Sequence, residues 1–396
     1  MLSPDEALDR LLALARPLPG IRVPLADAAG RSLVEPRIVA AHDVPPFARA
    51  AMDGYAVIAA DTAGATRDTP RTLDCIEAIY TGQPGARAVG RGQCAEIATG
   101  APMPAGADAV VMVEETTRDA DGRVQARAEA RAGQNIGRQG ADIAAGATVL
   151  GAGDVLNPSR LGALAAIGLG EVDVYARPVC AVIATGNEIV PAGTRLRPGQ
   201  IHDINSVTLA AVIEEHGGEA RAFPAVPDTL EDLERAVDAA RDCDVFVFSG
   251  GSSVGERDLI LDAIRRTGEV YFHGIAVKPG KPTAFGRIGR ALVFGMPGYP
   301  TSCLSNAYIL LVPFLRTLAH LPPLARHTVR APLARRITSV PGRHQFYTVR
   351  LVDGRAEPAF KASGDITSMS RADGYIEIEA EVEAVDEGAM VEVVLF

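Results

Sequence analysis

The sequence predicts a multidomain fold, α/β plus β, and three observations carry that expectation. At 396 residues the chain exceeds one compact core, since a domain takes ~100–200 residues. Between 179 and 320, apolar strand-like runs alternate with helical patterns, which implies a mostly parallel sheet with helices on both faces. On either side, at 21–175 and after Pro322-Pro323, short alternating segments broken by Gly, Pro and Asp read as β structure.

The first element is a helix. Ser3 suits the N-cap, Pro4 the first helical position, and Glu6 completes a capping box. Ala7, Leu8, Leu11, Leu12 and Ala15 recur at helical spacing until Pro17 and Pro19 stop the run. Strands follow at 109–114 and 147–150, then a helix at 158–167 and a further segment from Glu171. From Val179 to Ala184 the residues are continuously apolar, as in a strand buried on both faces. A helix capped near Asn205 or Ser206 runs through Leu209, Val212 and Ile213 and closes at Gly217-Gly218. Next come a strand at 220–226, a helix from Leu230 capped by Thr229 with Asp232, and a buried strand at 244–248. The pattern ends with a helix at 259–266, strands at 270–277 and 291–294, and a long helix at 301–320. Strands at 345–352, 375–380 and 389–395 make a small all-β C-terminal domain.

Composition narrows the function classes. The apolar share of 47% and charged share of 22% are those of ordinary globular protein. The longest apolar runs, 245–248 and 307–315, are too short to span a bilayer, and the acidic start has no signal-peptide character, so no membrane role and a cytoplasmic location are expected. Five widely spread cysteines form no CxxC pair, which predicts reduced, mostly buried thiols. A net charge of −10 argues against nucleic-acid binding, so an anionic substrate requires a local cluster of cations. No HxxxH spacing, GxSxG elbow, Walker A sequence or dinucleotide fingerprint occurs at a strand–helix junction.

Ligands of open α/β sheets bind beyond the C-terminal strand ends, and four unusual loops fall there. The first is Thr185-Gly186-Asn187-Glu188. The second, with Gly250, Gly251, Ser252, Ser253 and Gly255, leads into a helix, so its backbone N–H groups can converge on an anion. Asp258 closes that loop with a carboxylate that would repel phosphate, which suggests an intervening Mg²⁺. In the third, Lys278 and Lys281 flank Pro279-Gly280, so a rigid turn can aim both ammonium groups at one oxyanion; a pair of solvated lysines is the alternative. In the fourth, Gly298, Thr301 and Ser302 open the long helix, as an anion site or as simple caps. Asp53 alone reads as a β-turn residue, and 99–108 alone as a loop.

Taken in order, these segments are specific. MDGYAV at 52–57, TGAPMPAGADAVVMVE at 99–114, GADI ending at Ile143, TGNE at 185–188, SGGSSVGERD at 249–258, KPGKP at 278–282, GMPGYPTS at 295–302 and SGDITSMSRADG at 363–374 resemble the successive signatures of the molybdopterin molybdenumtransferase family, MoeA and the gephyrin E domain, over essentially the whole chain.

That resemblance implies a homodimer of four-domain subunits: a segmented linker domain from 1–41 and 135–175, an inserted β domain at 42–134, a molybdopterin-binding-like α/β domain at 176–322 and a C-terminal β-barrel at 323–396. It implies an active site shared between subunits. It also implies Mg²⁺-dependent insertion of molybdate or tungstate into adenylylated molybdopterin, with release of AMP. Matched residue by residue, Asp53, Asp142, Asp228 and Asp258 are family acids, with Asp258 and Asp228 nearest the Mg²⁺ and pyrophosphate. Glu188 and Thr99 match further functional positions, and Lys278, Lys281, Pro282, Ser302 and Ser368 match positions that bind pterin phosphate or oxyanion. Three departures stand out: Tyr299 replaces the Asn of a GNP triplet, Ser252-Ser253 replaces Val-Ser, and Thr348 replaces a frequent Arg, with Arg343 and Arg350 nearby. They place the chain near the archaeal-type branch and leave molybdate and tungstate both open. Molybdopterin adenylyltransferase is an alternative, but it needs only the domain at 176–322. A non-catalytic gephyrin-like scaffold is another, but it would lack the four acids. An upstream adenylyltransferase and downstream apo-molybdoenzymes are expected protein partners.

Overall fold

The computed structural model describes residues 1–250 and 259–396. The chain divides into two compact units, one of Met1–Val23, Gly30–Val34 and Asp173–Phe396, the other of Pro24–Ala29 and Glu35–Val172.

The first unit opens with α1 (Pro4–Leu14). Its capping box is formed: Ser3 Oγ accepts from Glu6 N–H at 3.1 Å, and Glu6 Oε2 accepts from Ser3 N–H at 2.8 Å. The α/β domain that α1 packs against comprises β1 (Val179–Ala184), α2 (Asn205–Glu215), β2 (Glu219–Ala222), α3 (Leu230–Ala239), β3 (Val245–Ser249), α4 (Leu259–Thr267), β4 (Gly268–His273), β5 (Ala284–Ile288), β6 (Ala291–Met296) and α5 (Pro300–Asn306). Spatial order is β2-β1-β3-β6-β5-β4. The first four strands are parallel, and β5 and β4 are antiparallel to their neighbours.

Burial on both faces accounts for the continuous apolar runs. Cys180, Val182, Val245 and Val247 face one core with Leu209 and Ile213 of α2 and Leu11 of α1, whereas Ala181, Ile183, Phe246 and Phe248 face another with Leu233 of α3 and Ile264 of α4. In the first core, Phe285, Phe294 and Phe314 form a ring cluster with centroids 4.9 to 5.8 Å apart. Removing one such ring costs ~3–5 kcal/mol.

Several sequence expectations need correction. The helix α2 starts at Asn205, and its N-cap is Ile204 without a side-chain bond, not Asn205 or Ser206; Asp203, one residue earlier, accepts from Ser206 N–H through Oδ1 at 2.9 Å. The strand expected over 220–226 is only Glu219–Ala222; Val226 makes an isolated bridge with Thr185. The strand expected over 270–277 splits, because β4 ends at His273 and Val277–Lys278 joins a different sheet. Strand β5 was not expected at all. The long helix runs as α5, a π-helical turn at Ala307–Leu311 and α6 (Val312–Leu318).

The remainder of this unit is β-rich. Its sheet orders Val277–Lys278, His344–Val352, Gly374–Ile378, Met390–Leu395 and Thr328–Pro332, with Arg355–Pro358 also paired to the second. Val349, Ile376, Ile378 and Val393 form its core.

The second unit contains a six-stranded sheet in which Gly54–Val57 lies between Ala109–Met112 and Gln93–Ile97. Alternation sends Tyr55 and Val57 to one core and Ala56 to another. Gly54 is obligatory here, because a Cβ would lie 2.0 Å from Val111 O. The helix Pro158–Ala166 is capped by Asn157.

Candidate functional site

Strands β1, β3 and β6 end side by side, and the loops that leave them form one mouth. Thr185 N–H donates to Ser249 O at 2.9 Å, and Gly250 N–H to Met296 O at 3.4 Å. Gly250 has φ +106°, and a Cβ there would meet Thr185 O at 2.3 Å. The backbone therefore packs too closely for any other residue. Gly298 faces Gly250 Cα across the gap, and its carbonyl accepts from Asn205 Nδ2 at 2.9 Å.

Four buried polar atoms at this mouth have no hydrogen-bond partner among the described residues: Thr185 Oγ1, Ser249 Oγ, Asn205 Oδ1 and Ser206 Oγ. Unpaired buried polar atoms are costly, ~1–3 kcal/mol each, and rare. Their concentration beyond the parallel strand ends marks a place built to bond something else. Sequence reading placed Thr185 and Ser249 in the ligand loops but took Asn205 and Ser206 only as helix-cap candidates; the switch-point rule for α/β sheets was the only available signal.

Gly251, Ser252, Ser253, Gly255 and Asp258 lie outside the described residues. On the β1 side, Asp228 and Glu188 come together. Partial loss of water and then the Glu188 charge push the Asp228 carboxyl above its ordinary value, and the Asn187 N–H pulls it back. Two carboxylates in mutual repulsion suit a hard divalent cation. No group of three or more His, Cys, Asp or Glu side chains gathers around a common point among the described residues.

The lysine loop is held from beneath. Asn306, fully buried in α5, donates through Nδ2 to Gly280 O at 2.8 Å and to Thr283 Oγ1 at 2.5 Å. Thr283 Oγ–H donates to Gly280 O at 2.9 Å. The Lys278-Pro279 bond is cis. Lys281 is exposed, Lys278 and Pro282 are half-buried, and Lys278 is further fixed by strand pairing with Gln345. Both ammonium groups thus project from a braced turn.

At the fourth loop the expected cap does not form. Tyr299 is the N-cap without a side-chain bond, and the Thr301 N–H and Oγ–H are taken by Ser363 O at 3.1 Å and Asp365 O at 2.8 Å. Ser302 is buried. Ser368 is fully buried, its Oγ accepting from Lys361 N–H at 3.0 Å. Thr348 is buried with an unpartnered Oγ1, whereas Arg350 is exposed and Arg343 half-buried. The cavity beside Thr348, lined also by Ser305 and Met369, is about 10 Å³ and takes one water at most.

Within the second unit, Asp53 and Thr99 meet. Asp53 Oδ1 accepts from Thr99 N–H at 2.6 Å and from Thr99 Oγ–H at 2.9 Å, and these bonds hold its carboxyl below the ordinary value. Asp142 stands exposed in a separate turn, its N–H donating to Val44 O at 3.0 Å.

Comparison with known proteins shows the family. Family models match in sequence: the MoeA N-terminal region (domain I and II) at residues 2–168, the "Probable molybdopterin binding domain" at 181–317, and the MoeA C-terminal region (domain IV) at 330–396. Molybdopterin molybdenumtransferase 2 of Mycobacterium tuberculosis is 36% identical over 384 residues, covering 94% of each chain. The molybdopterin molybdenumtransferase of Haemophilus influenzae is 36% identical over 320 residues, covering 80% of this chain and 78% of that one. A solved molybdopterin biosynthesis MoeA protein from Pyrococcus horikoshii superposes with a TM-score of 0.81 at 40% identity, covering 100% of this chain and 99% of that one. A second from that organism gives 0.76 at 30% identity, with both chains fully covered. With three family models spread along it and a relative of this identity over nearly its whole length, the chain belongs to the molybdopterin molybdenumtransferase (MoeA) family.

Proposed function

We propose that this chain inserts molybdate, or tungstate, into adenylylated molybdopterin in a Mg²⁺-dependent reaction that hydrolyses the adenylyl bond and releases AMP. Membership of the family makes it an enzyme of molybdenum cofactor biosynthesis. The observation that carries the finer reading is the mouth beyond β1, β3 and β6, where four unpartnered buried polar atoms adjoin a braced two-lysine turn and a carboxylate pair.

Each part has a task in such a reaction. Lys278 and Lys281 hold oxyanions, and fixed cations stabilise the charge that develops on a hydrolysed anhydride. Thr185, Ser249 and Asn205 supply hydroxyl and amide groups to orient the bound substrate. Asp228 with Glu188, joined by Asp258 on sequence grounds, would hold Mg²⁺, which neutralises phosphoanhydride charge. Asp53 and Thr99 form an ionised acid on a second surface. A homodimer with a shared active site, as the family resemblance implies, is part of the proposal. So are the four-domain division given above, a cytoplasmic location, and contact with an upstream adenylyltransferase and apo-molybdoenzymes. No helix among the described residues is long and apolar enough to cross a membrane.

Reconstitution tests the reading. Purified chain, adenylylated molybdopterin, Mg²⁺ and either oxyanion should yield AMP and active cofactor without ATP. Release of AMP that requires ATP, or cofactor formation unaffected by Asp258→Asn, would overturn it.

A further inference from the structure

The chain has three lysines, Lys278, Lys281 and Lys361, against 36 arginines. The two residue types are used differently. Arginines pair with carboxylates across the molecule, as Arg91 does with Asp61 at 3.0 Å and Arg160 with Asp154 at 3.1 Å. None of the three lysines has a carboxylate partner among the described residues. In a chain of net charge −10, cations left unpaired are available to an anion from outside.

Lys278 and Lys281 flank the braced turn. Lys361 reaches the same neighbourhood by another route. The strand His344–Val352 pairs with Lys278 at Gln345 and continues to Thr348, whose carbonyl accepts the N–H groups of Ala359 at 2.9 Å and Phe360 at 3.2 Å. Three residues of strand span ~10 Å, so Lys361 departs about that far along from Lys278. The chain then crosses the start of α5. Ser363 and Asp365 carbonyls bond Thr301, and Gly364 lies against the Tyr299 ring. Two hydroxyls hold the lysine itself: Ser368 Oγ accepts its backbone N–H at 3.0 Å, and Thr367 Oγ1 accepts its ammonium at 3.3 Å. An ammonium has three donors, and that one long bond leaves the others free. The side chain is exposed.

We infer that Lys361 is a third cation of the mouth and binds a tetrahedral oxyanion, either a phosphate of the substrate or molybdate itself. The inference rests on the proposed function for the identity of the anion, and it adds a residue that neither the loops nor the motifs assign. Thr367 and Ser368 orient Lys361, and the C-terminal segment thereby contributes to substrate binding through a charge as well as through packing.

Acetic anhydride labelling of the full-length protein provides the test, with each lysine quantified by peptide mass spectrometry. Arms contain inorganic pyrophosphate, molybdate, or neither. At about ten times the half-saturating concentration, mass action should slow Lys361 labelling by about tenfold in at least one arm, and the protecting arm identifies the anion. Lys361→Gln should raise the half-saturating concentration of that anion on the order of tenfold, with Lys361→Arg retaining most of the affinity and both variants melting as the parent does. If Lys361 labels at its free rate in both arms while Lys278 and Lys281 are protected, Lys361 is not part of the site and the proposed function stands. If no lysine is protected, the inference and the reading of the mouth as an anion site fail together.

Discussion

Gly280→Ala and Asn306→Ala form a double-mutant cycle that tests how the lysine turn is braced. Gly280 has φ +111°, a region costly for any other residue, so an alanine adds ~1–3 kcal/mol of backbone strain. Its Cβ would also lie 2.3 Å from Asn306 Nδ2. The amide must then swing away, forfeiting its bonds to Gly280 O and Thr283 Oγ1. Asn306→Ala loses the same bonds directly, at ~1–3 kcal/mol for stranded buried groups. Part of that cost is offset, because Asn306 Oδ1 is itself unpartnered and disappears with the side chain. In the double variant the bonds are lost once rather than twice, and only the strain is added. The double should therefore be less destabilised than the sum of the singles by ~1–3 kcal/mol. Urea unfolding followed by circular dichroism measures this. Additivity within ~0.5 kcal/mol would refute the collision and with it the bracing of the turn. Molybdate affinity should fall in Gly280→Ala, since Lys278 and Lys281 ride on the displaced loop.

Three further outcomes are expected. Ser3→Ala removes the α1 cap and should cost ~1 kcal/mol by the same urea assay; no change would mean that α1 is held by Leu11 and its core contacts alone. Thr99→Ala removes only the hydroxyl bond and leaves the stronger Thr99 N–H bond, so it should raise the Asp53 carboxyl part of the way toward 3.8, read by carboxyl NMR titration. Because the folded value is depressed, the Asp53–Thr99 contact is fully present above 3.8 and lost only as pH falls through that lower value; an unmoved titration would count against it. Asp228 has the opposite sign. Its carboxyl is raised, so the stability of its protonated form is fully present below 3.8 and lost as pH rises through the folded value. Mg²⁺ affinity by calorimetry should accordingly weaken between neutrality and about pH 4, and Asp228→Asn should flatten that dependence. A wild-type affinity constant across that range would exclude Asp228 from the cation site.

Local signals were legible in the sequence, and contacts between distant segments were not. The α1 capping box and the Thr229 cap of α3 depend on residues three apart, so composition and spacing suffice to find them. The apolar run of β1 announces burial on both faces. Strand β5, Ala284-Phe285-Gly286-Arg287-Ile288, gives no such signal, because Gly286 is demanded by Glu269 O, 2.5 Å from where a Cβ would stand. A close approach in space looks in sequence like a strand breaker. At α2 the N-cap is Ile204, a residue that cap preferences do not select, and the nearby Asn205 and Ser206 carry the composition signal instead. For the site, motif order pointed to Asp53 and Thr99, yet their hydrogen bonds join residues 46 apart. Lys361 carries no motif of its own, and its position follows from strand pairing and from the grip on Thr301.

The π-helical turn at Ala307–Leu311 divides the long helix into two halves with different obligations. Upstream, Thr301 and Asn306 anchor the C-terminal segment and the lysine turn. Downstream, Phe314, Leu315 and Leu318 fill the core beneath the sheet. A π turn accommodates one residue more than α geometry would, and each residue of an α-helix turns the face by ~100°. If the same residues kept α geometry through 307–311, the surplus residue would rotate one set of side chains by ~100° out of phase with the other. Either Asn306 would leave Gly280 or Phe314 would leave Phe285 and Phe294. The surplus residue acts as a phase adjuster, letting one continuous rod serve a binding loop at one end and a hydrophobic interior at the other.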